Sequence, residues 1–314
     1  MRKRRPGRKA KDPFLIFSEG DVKAVTNGKT PLFYACENNS SFIARTWGLG
    51  DEWGETPLRY VIARELQDQP TALKIIKLRI KRGAKVNVRT RGLMMAINQK
   101  DVEMVEVLLE AGVDIQAELD GATALHYAAE TGLISVASKL LQKGVLLNKP
   151  DFSRETPLFY AARAGQTELV KFLISQGANV EAADTIGRTP LMAAISKEHC
   201  ETVQALIAAG ASVRVRTKDQ NAPLLAGGAA NNCITKALIA AGAAINIQDD
   251  YGSTPLILAA NVGNLTGVKL LIEAGADVSV KDYDGRDAVF YAKQGKYWAI
   301  VKVLQQARKK AAPE

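Results

Sequence analysis

The sequence predicts an all-α fold, a solenoid of stacked helix–turn–helix units joined by β-turn fingers, and three observations carry that expectation. The phrase Thr-Pro-Leu recurs as Thr156-Pro157-Leu158, Thr189-Pro190-Leu191 and Thr254-Pro255-Leu256. Its copies, exact or altered, return every 32 or 33 residues from Arg91 onward. Each exact copy among these is followed by a short Ala-rich stretch and then by an amphipathic stretch that ends in Gly-Ala. A fixed period of this length marks a supersecondary unit too small to bury its apolar face alone, so neighbours must stack into a quasi-one-dimensional core.

Counted from the Thr or its replacement, units start at Thr30, Thr56, Arg91, Thr123, Thr156, Thr189, Ala222, Thr254 and Asp287. Within the unit at Thr156 each element has a local cause. Thr156 caps the first helix, and Pro157 takes its first position, where a missing N–H costs nothing. The small Ala161 and Ala162 let this helix approach its neighbours closely. In the second helix Leu169, Val170, Phe172, Leu173 and Ile174 recur at helical spacing and are expected to face the stack. Gly177 ends that helix, because glycine accepts the left-handed conformation of a C-cap.

The run Thr123-Ala124-Leu125-His126-Tyr127-Ala128-Ala129 and the ending Gln176-Gly177-Ala178-Asn179-Val180 resemble the phrases of the ankyrin repeat. The resemblance spans residues 28–305 in about nine copies. It implies a non-enzymatic scaffold whose fingers and inner-helix edges form one concave ladder that binds a protein partner. On this resemblance the chain is a regulator or a host-directed effector.

The pattern is irregular near its start. The unit at Thr30 shortens its second helix, and the next carries extra residues around Gln67-Asp68-Gln69-Pro70. Residues 13–27 look like a truncated repeat that caps the open apolar end, and residues 13–310 are expected to form one repeat domain. At the other end Lys302, Gln305, Gln306, Arg308 and Lys309 make the outer face of the last helix polar, leaving 311–314 as a tail.

The net charge of +9 is unevenly placed. Arg2, Lys3, Arg4, Arg5, Arg8, Lys9 and Lys11 put seven cations and no anion before Asp12, and residues 1–12 are expected to be disordered. Such a tail is a solvated arm, a nuclear localisation signal, an anchor on anionic lipid or a loose nucleic-acid contact, and the residues do not choose among these. A nuclear or nucleic-acid-associated protein is therefore the alternative to the scaffold. The stretch after the tail, Phe14-Leu15-Ile16-Phe17, is interrupted at once by Ser18-Glu19-Gly20-Asp21 and does not read as a secretory signal. Cys36, Cys200 and Cys233 are too few and too scattered to suggest a disulfide framework or a zinc site. The expectation is a cytoplasmic monomer without a transmembrane segment, with nuclear residence or delivery into another cell left open.

Catalysis needs a nucleophile, base or metal cluster, and the chain has only two histidines. His126 fills the family phrase's own His position, where it bridges neighbouring repeats. His199 falls on the turn between helices. Cys200 follows His199 directly, and adjacent helical residues do not face each other. Paired carboxylates such as Asp249-Asp250 and Asp282-Asp284 sit in finger turns, where Asp bonds its own backbone. No catalytic residue, metal ligand or cofactor is expected.

Carried over by position, the family's partner-binding surface falls on Trp53, Glu55, Leu119, Asp120, Phe152, Arg163, Ile186, Arg188, Tyr251, Tyr283 and Arg286. Trp53, Phe152, Tyr251 and Tyr283 are the candidate anchors, since buried aromatic and Arg side chains dominate interface energetics. The competing reading is that a finger aromatic packs sideways on its neighbour. The ladder also changes sign, because Glu37, Glu52, Glu55, Asp120, Glu130 and Glu155 precede Arg163, Arg188, Lys197 and Lys218. A bipolar ligand suits it, with the charges setting orientation and association rate.

Overall fold

The computed structural model describes residues 91–218, 222–227 and 231–311. The basic tail 1–12, the cap at 13–27, the units starting at Thr30 and Thr56, and the site candidates Trp53 and Glu55 lie outside the described residues. Seven successive helix pairs follow, one for each of the expected starts from Arg91 to Asp287. Among the described residues there is no strand, only the isolated bridges Leu119–Ala122 and Lys281–Asp287 at finger bases. Contacts divide the chain into two units, residues 1–115 and 116–314.

In the first unit α1 (Arg91–Asn98) and α2 (Val102–Glu110) form one helix pair. Asp101 caps α2, its Oδ1 accepting from the Met104 amide at 3.0 Å. Leu93, Met94 and Ile97 of α1 and Met104, Val105 and Leu108 of α2 are buried.

The second unit contains α3 (Ala124–Thr131) and α4 (Ile134–Gln142), then α5 (Pro157–Arg163) and α6 (Thr167–Ser175). They are followed by α7 (Pro190–Ser196) and α8 (Cys200–Ala208), and by α9 (Pro223–Gly227) and α10 (Asn232–Ala240). The last pairs are α11 (Pro255–Asn261) with α12 (Leu265–Glu273), and α13 (Ala288–Gln294) with α14 (Trp298–Ala311). Inner helices pack on inner helices and outer on outer, each also on its own partner.

The expected caps are in place. Thr156, Thr189 and Thr254 have extended backbones, and each hydroxyl accepts an amide from the first turn of its helix. Asp287 does the same for α13 through the Phe290 amide at 2.8 Å. Gly177 follows α6 at φ +91°, as its C-cap role requires. Ala161 and Ala162 are fully buried between neighbouring inner helices.

Two expectations need correction. Leu169, Val170 and Leu173 are buried, but Phe172 and Ile174 are only half-buried. A helical turn of 3.6 residues aligns 169, 170 and 173 on one face and places 172 and 174 at its margins. The second correction concerns cysteine. Cys200 and Cys233 form a disulfide, with their Cα atoms 6.1 Å apart. Their separation of 33 is one repeat period, so stacking brings two residues remote in sequence to equivalent places on α8 and α10. Scatter along the sequence is the wrong measure in a solenoid.

The last helix has the expected polar outer face, with Ile300, Val301 and Leu304 buried and Lys302, Gln305, Gln306, Arg308 and Lys309 exposed. Arg308 turns back to Asp287 Oδ2 at 2.7 Å and to the Val278 carbonyl at 3.3 Å. Trp298, at the start of this helix, remains largely exposed, which the polar reading of the last helix did not anticipate.

The cap geometry carries a measurable consequence. Replacing Thr254 by Ala removes the acceptor of the Ile257 amide, 3.3 Å away, and is expected to cost about 1 kcal/mol. The check is the urea midpoint of Thr254→Ala at unchanged m-value.

Candidate interaction surface

Every complete finger among the described residues from Asp151 onward is built on one aspartate. Asp151 Oδ1 accepts from the amides of Ser153 at 2.9 Å and Glu155 at 2.8 Å. Asp184 receives Ile186 and Arg188, Asp249 receives Tyr251 and Ser253, and Asp282 receives Asp284 and Arg286, all at 2.8–3.0 Å. The Asp amide in turn donates to the carbonyl four residues on, as from Asp184 to Arg188 at 3.0 Å. The second carboxylate oxygen is used too. Tyr160 Oη donates to Asp151 at 2.9 Å and Tyr291 Oη to Asp282 at 2.6 Å, while Arg188 Nε reaches Asp184 at 2.7 Å. These aspartates are structural acceptors, as the finger-turn reading expected for Asp249 and Asp282.

Fingers join their neighbours through the backbone at the tips. Phe152 donates to the Asp120 carbonyl at 3.4 Å, Thr185 to Ser153 at 3.0 Å, Lys218 to Ile186 at 3.0 Å and Tyr283 to Tyr251 at 3.1 Å. The tip residue of one finger lies over a glycine of the one before. A Cβ on Gly121 would stand 2.7 Å from the Phe152 ring, and one on Gly252 would stand 2.7 Å from Tyr283. Both glycines also have positive φ, +80° and +78°. The sideways packing therefore exists, yet it covers little. Phe152 keeps 78%, Tyr251 78% and Tyr283 75% of their surface exposed.

The remaining candidates divide into two kinds. Asp120, Ile186 and Arg286 are exposed, Leu119 is half-buried, and Arg286 Nη1 pairs with Asp284 at 3.0 Å while lying over Phe290. Arg163 and Arg188 converge instead on Glu155. Arg163 pairs with it directly, and Arg188 Nη2 lies 3.5 Å from its Oε1. Arg163 also reaches Glu130 at 4.0 Å and stacks over Tyr160 with 4.4 Å to the ring centre. Glu155 itself is buried. Desolvation raises its carboxyl pKa, opposed by the neighbouring Arg163 charge and hydrogen bond. The expected ladder, acidic before basic, is thus altered at its centre. Glu155 belongs to an internal cluster, because its position just ahead of Thr156 turns it under the finger, and the step from acidic to basic falls inside that cluster.

Beneath the cluster His126 is fully buried and bridges two repeats. Its Nδ1 accepts from the Thr123 amide at 3.0 Å, so Nε2 carries the proton and donates to the Glu155 carbonyl at 3.2 Å. Tyr160 meets the ring edge-on at 5.0 Å. Burial lowers the His126 pKa from 6.5 to about 4, and the Glu155 carbonyl opposes that only in part. Burial likewise raises Tyr160, reinforced by its hydrogen bond to Asp151. His199 caps α8 and meets the Arg163 carbonyl at 3.1 Å through Nε2. Both histidines are thus held as bridges between repeats. Among the described residues no group of three His, Cys, Asp or Glu is placed to hold a metal ion. No described helix is long and apolar enough to cross a membrane.

The profile of the ankyrin repeats matches residues 67–151, 145–217 and 225–312. Among curated proteins none matches in sequence. Among solved structures, the chain is similar to one in the complex of the Bd0816 predatory endopeptidase from Bdellovibrio bacteriovorus with the immunity protein Bd3460, at 30% identity and a TM-score of 0.55. That alignment covers 59% of this chain and 98% of the other. The human ASB11 ankyrin repeat domain aligns at 23% identity and a TM-score of 0.62, over 71% of this chain and 98% of its own, and supports the fold.

The buried histidine predicts a pH dependence. The folded protein binds this proton more weakly than the unfolded chain, so the His126 contribution is complete above the unfolded pKa of 6.5 and is lost as pH falls toward 4. The loss expected is about 3 kcal/mol. Glu155, with its raised pKa, acts in the opposite sense as its carboxyl protonates. Urea unfolding of the wild type and His126→Gln from pH 7 to pH 4 isolates the term, because only the wild type carries the imidazole's share of the slope.

Proposed function

Because the chain belongs to the ankyrin-repeat family, we propose that it is a non-enzymatic interaction scaffold that grips a protein partner with its finger tips and inner-helix edges. The supporting observation is the exposure of Phe152, Tyr251 and Tyr283 on tips whose amides are hydrogen-bonded to a finger aspartate or to the neighbouring tip. Large aromatic rings held on rigid turns lose little conformational entropy on binding. Asp120, Ile186 and Arg286 flank these rings as rim residues. Arg163 and Arg188 contribute the outer edges of guanidinium groups already positioned by Glu155 and Asp184. Trp53 and Glu55 extend the same surface on the family pattern.

The finer reading is that the chain regulates the protein it binds. It draws on the likeness to a chain of a complex that pairs an endopeptidase with an immunity protein, at 30% identity over 59% of this sequence. A partner restrained in this way is an enzyme whose activity falls on binding.

The test is a crosslinking pull-down from native lysate with the full chain and with a version lacking residues 1–11, followed by mass spectrometry and an activity assay of the captured protein. Retention of one discrete protein by both baits, with its activity lowered, supports the scaffold and its regulatory role. Capture of nucleic acid or lipid by the full chain alone would transfer the function to the basic tail. The double variant Phe152→Ala, Tyr251→Ala is expected to weaken capture about tenfold or more with helical content unchanged. Loss of helicity in that variant would show that the rings are structural.

A further inference from the structure

The unit that starts at Ala222 departs from its neighbours in two described features. Ala222 stands where Thr189 and Thr254 cap, and a methyl group accepts no amide. Gly227 lies in α9 where the neighbouring inner helices have Ala194 and Ala259, and glycine is a poor helix former. The outer helix of this unit is where the covalent link falls. Cys233 of α10 is bonded to Cys200 of α8, and Asn232 beside it accepts from Asn264 Nδ2 at 2.9 Å on the other side. One unit earlier, the starts of α6 and α8 are joined by a hydroxyl pair, Thr167 with Thr202 at 2.8 Å.

The sulfur pair is reachable. Cys233 is exposed, Cys200 is half-buried, and an open surface pocket lined by Gln204, Asn232, Cys233, Lys236 and Ala237 adjoins them. Both cysteines sit in the first turn of their helices, and Lys236 lies one turn along from Cys233.

We propose that Cys200 and Cys233 form a reversible dithiol–disulfide site that exchanges with a small thiol–disulfide couple of the glutathione class and fixes the rigidity of the α9–α10 unit. In the oxidising direction the Cys233 thiolate attacks the disulfide of oxidised glutathione, giving a mixed disulfide and releasing one glutathione thiolate. Cys200, deprotonated, then attacks the Cys233 sulfur, forms the Cys200–Cys233 bond and releases the second glutathione. Two electrons pass to the glutathione disulfide, and the two cysteine protons end on the released thiols. Reduction reverses both steps. The bond supplies to the irregular unit the constraint that its missing cap and helical glycine withhold.

The experiment uses the full chain carrying Cys36→Ser, so that only this pair reacts. After equilibration in oxidised or reduced glutathione, thiols are counted by alkylation, linked peptides are mapped, and amide hydrogen exchange is followed by mass spectrometry. The expected result is a Cys200–Cys233 peptide in the oxidised sample and two alkylated cysteines in the reduced one. Reduction should speed exchange across residues 222–241 about tenfold or more while α5 and α6 stay unchanged. A further variant with Cys200→Ser and Cys233→Ser should exchange like the reduced protein in either buffer. Failure of the link to form in oxidised glutathione would overturn the site, and equal exchange of 222–241 in both redox states would overturn its mechanical role.

Discussion

Four of the six helix pairs of the second unit end on a glycine carbonyl that accepts a hydrogen bond from a side chain of the preceding repeat. Gln116 Nε2 donates to the Gly144 carbonyl at 2.9 Å, Asn148 Nδ2 to Gly177 at 3.5 Å, Arg214 Nε to Gly242 at 3.0 Å and Asn246 Nδ2 to Gly275 at 3.5 Å. Unpaired carbonyls at helix ends are costly when shielded from water. The two asparagines also accept from the next unit, from the Asn179 amide and the Asp277 amide, both at 2.9 Å. One side chain in each of these repeats thus fixes both the distance and the register between units. Apolar burial alone would fix neither, because it is non-directional.

Once register is fixed, equivalent positions lie side by side and the rest of the structure follows from what occupies each column. In the inner helices Leu158, Leu191 and Leu256 fall together with the buried alanines Ala161, Ala194 and Ala259. At the starts of the outer helices the same logic pairs Cys200 with Cys233 and Asn232 with Asn264, while Thr167 meets Thr202 two positions off that register. The period makes a column of polar or sulfur atoms self-satisfying. A disulfide is one outcome of that alignment.

The repeat made most of this legible. Thr-Pro at the helix starts, Gly177 at a helix end and the Asp of each finger all have local causes, and a local cause can be read from a short stretch. His126 as a bridge was legible for the same reason. The parts that were not legible depend on a distance across the period. Cys200 and Cys233 look unrelated until positions are compared at an offset of 33, and that offset was the signal that could have found them. Glu155 reads as a surface acid because it sits beside a finger tip. Its burial arises from two arginines, one of which, Arg188, belongs to the next repeat. Phe172 and Ile174 were assigned to the stack because the whole second helix is apolar, and only the packed neighbours show which side of it is covered.

The same reasoning explains why specificity in this protein resides where the repeat makes no demand. The finger aspartates, the capping threonines and the helix-end carbonyls are each committed to bonds that hold a unit to itself or to its neighbour. A substitution there changes the frame before it changes any surface. The tip positions carry no such commitment beyond one backbone hydrogen bond and a glycine underneath. Phe152 and Tyr283 occupy one tip column and Thr185 shares it, so an aromatic ring there is not required by the stack. Rings that the frame does not need, left largely exposed on turns that the frame holds still, are side chains whose cost has no structural return. They are the side chains that the proposed partner contact uses.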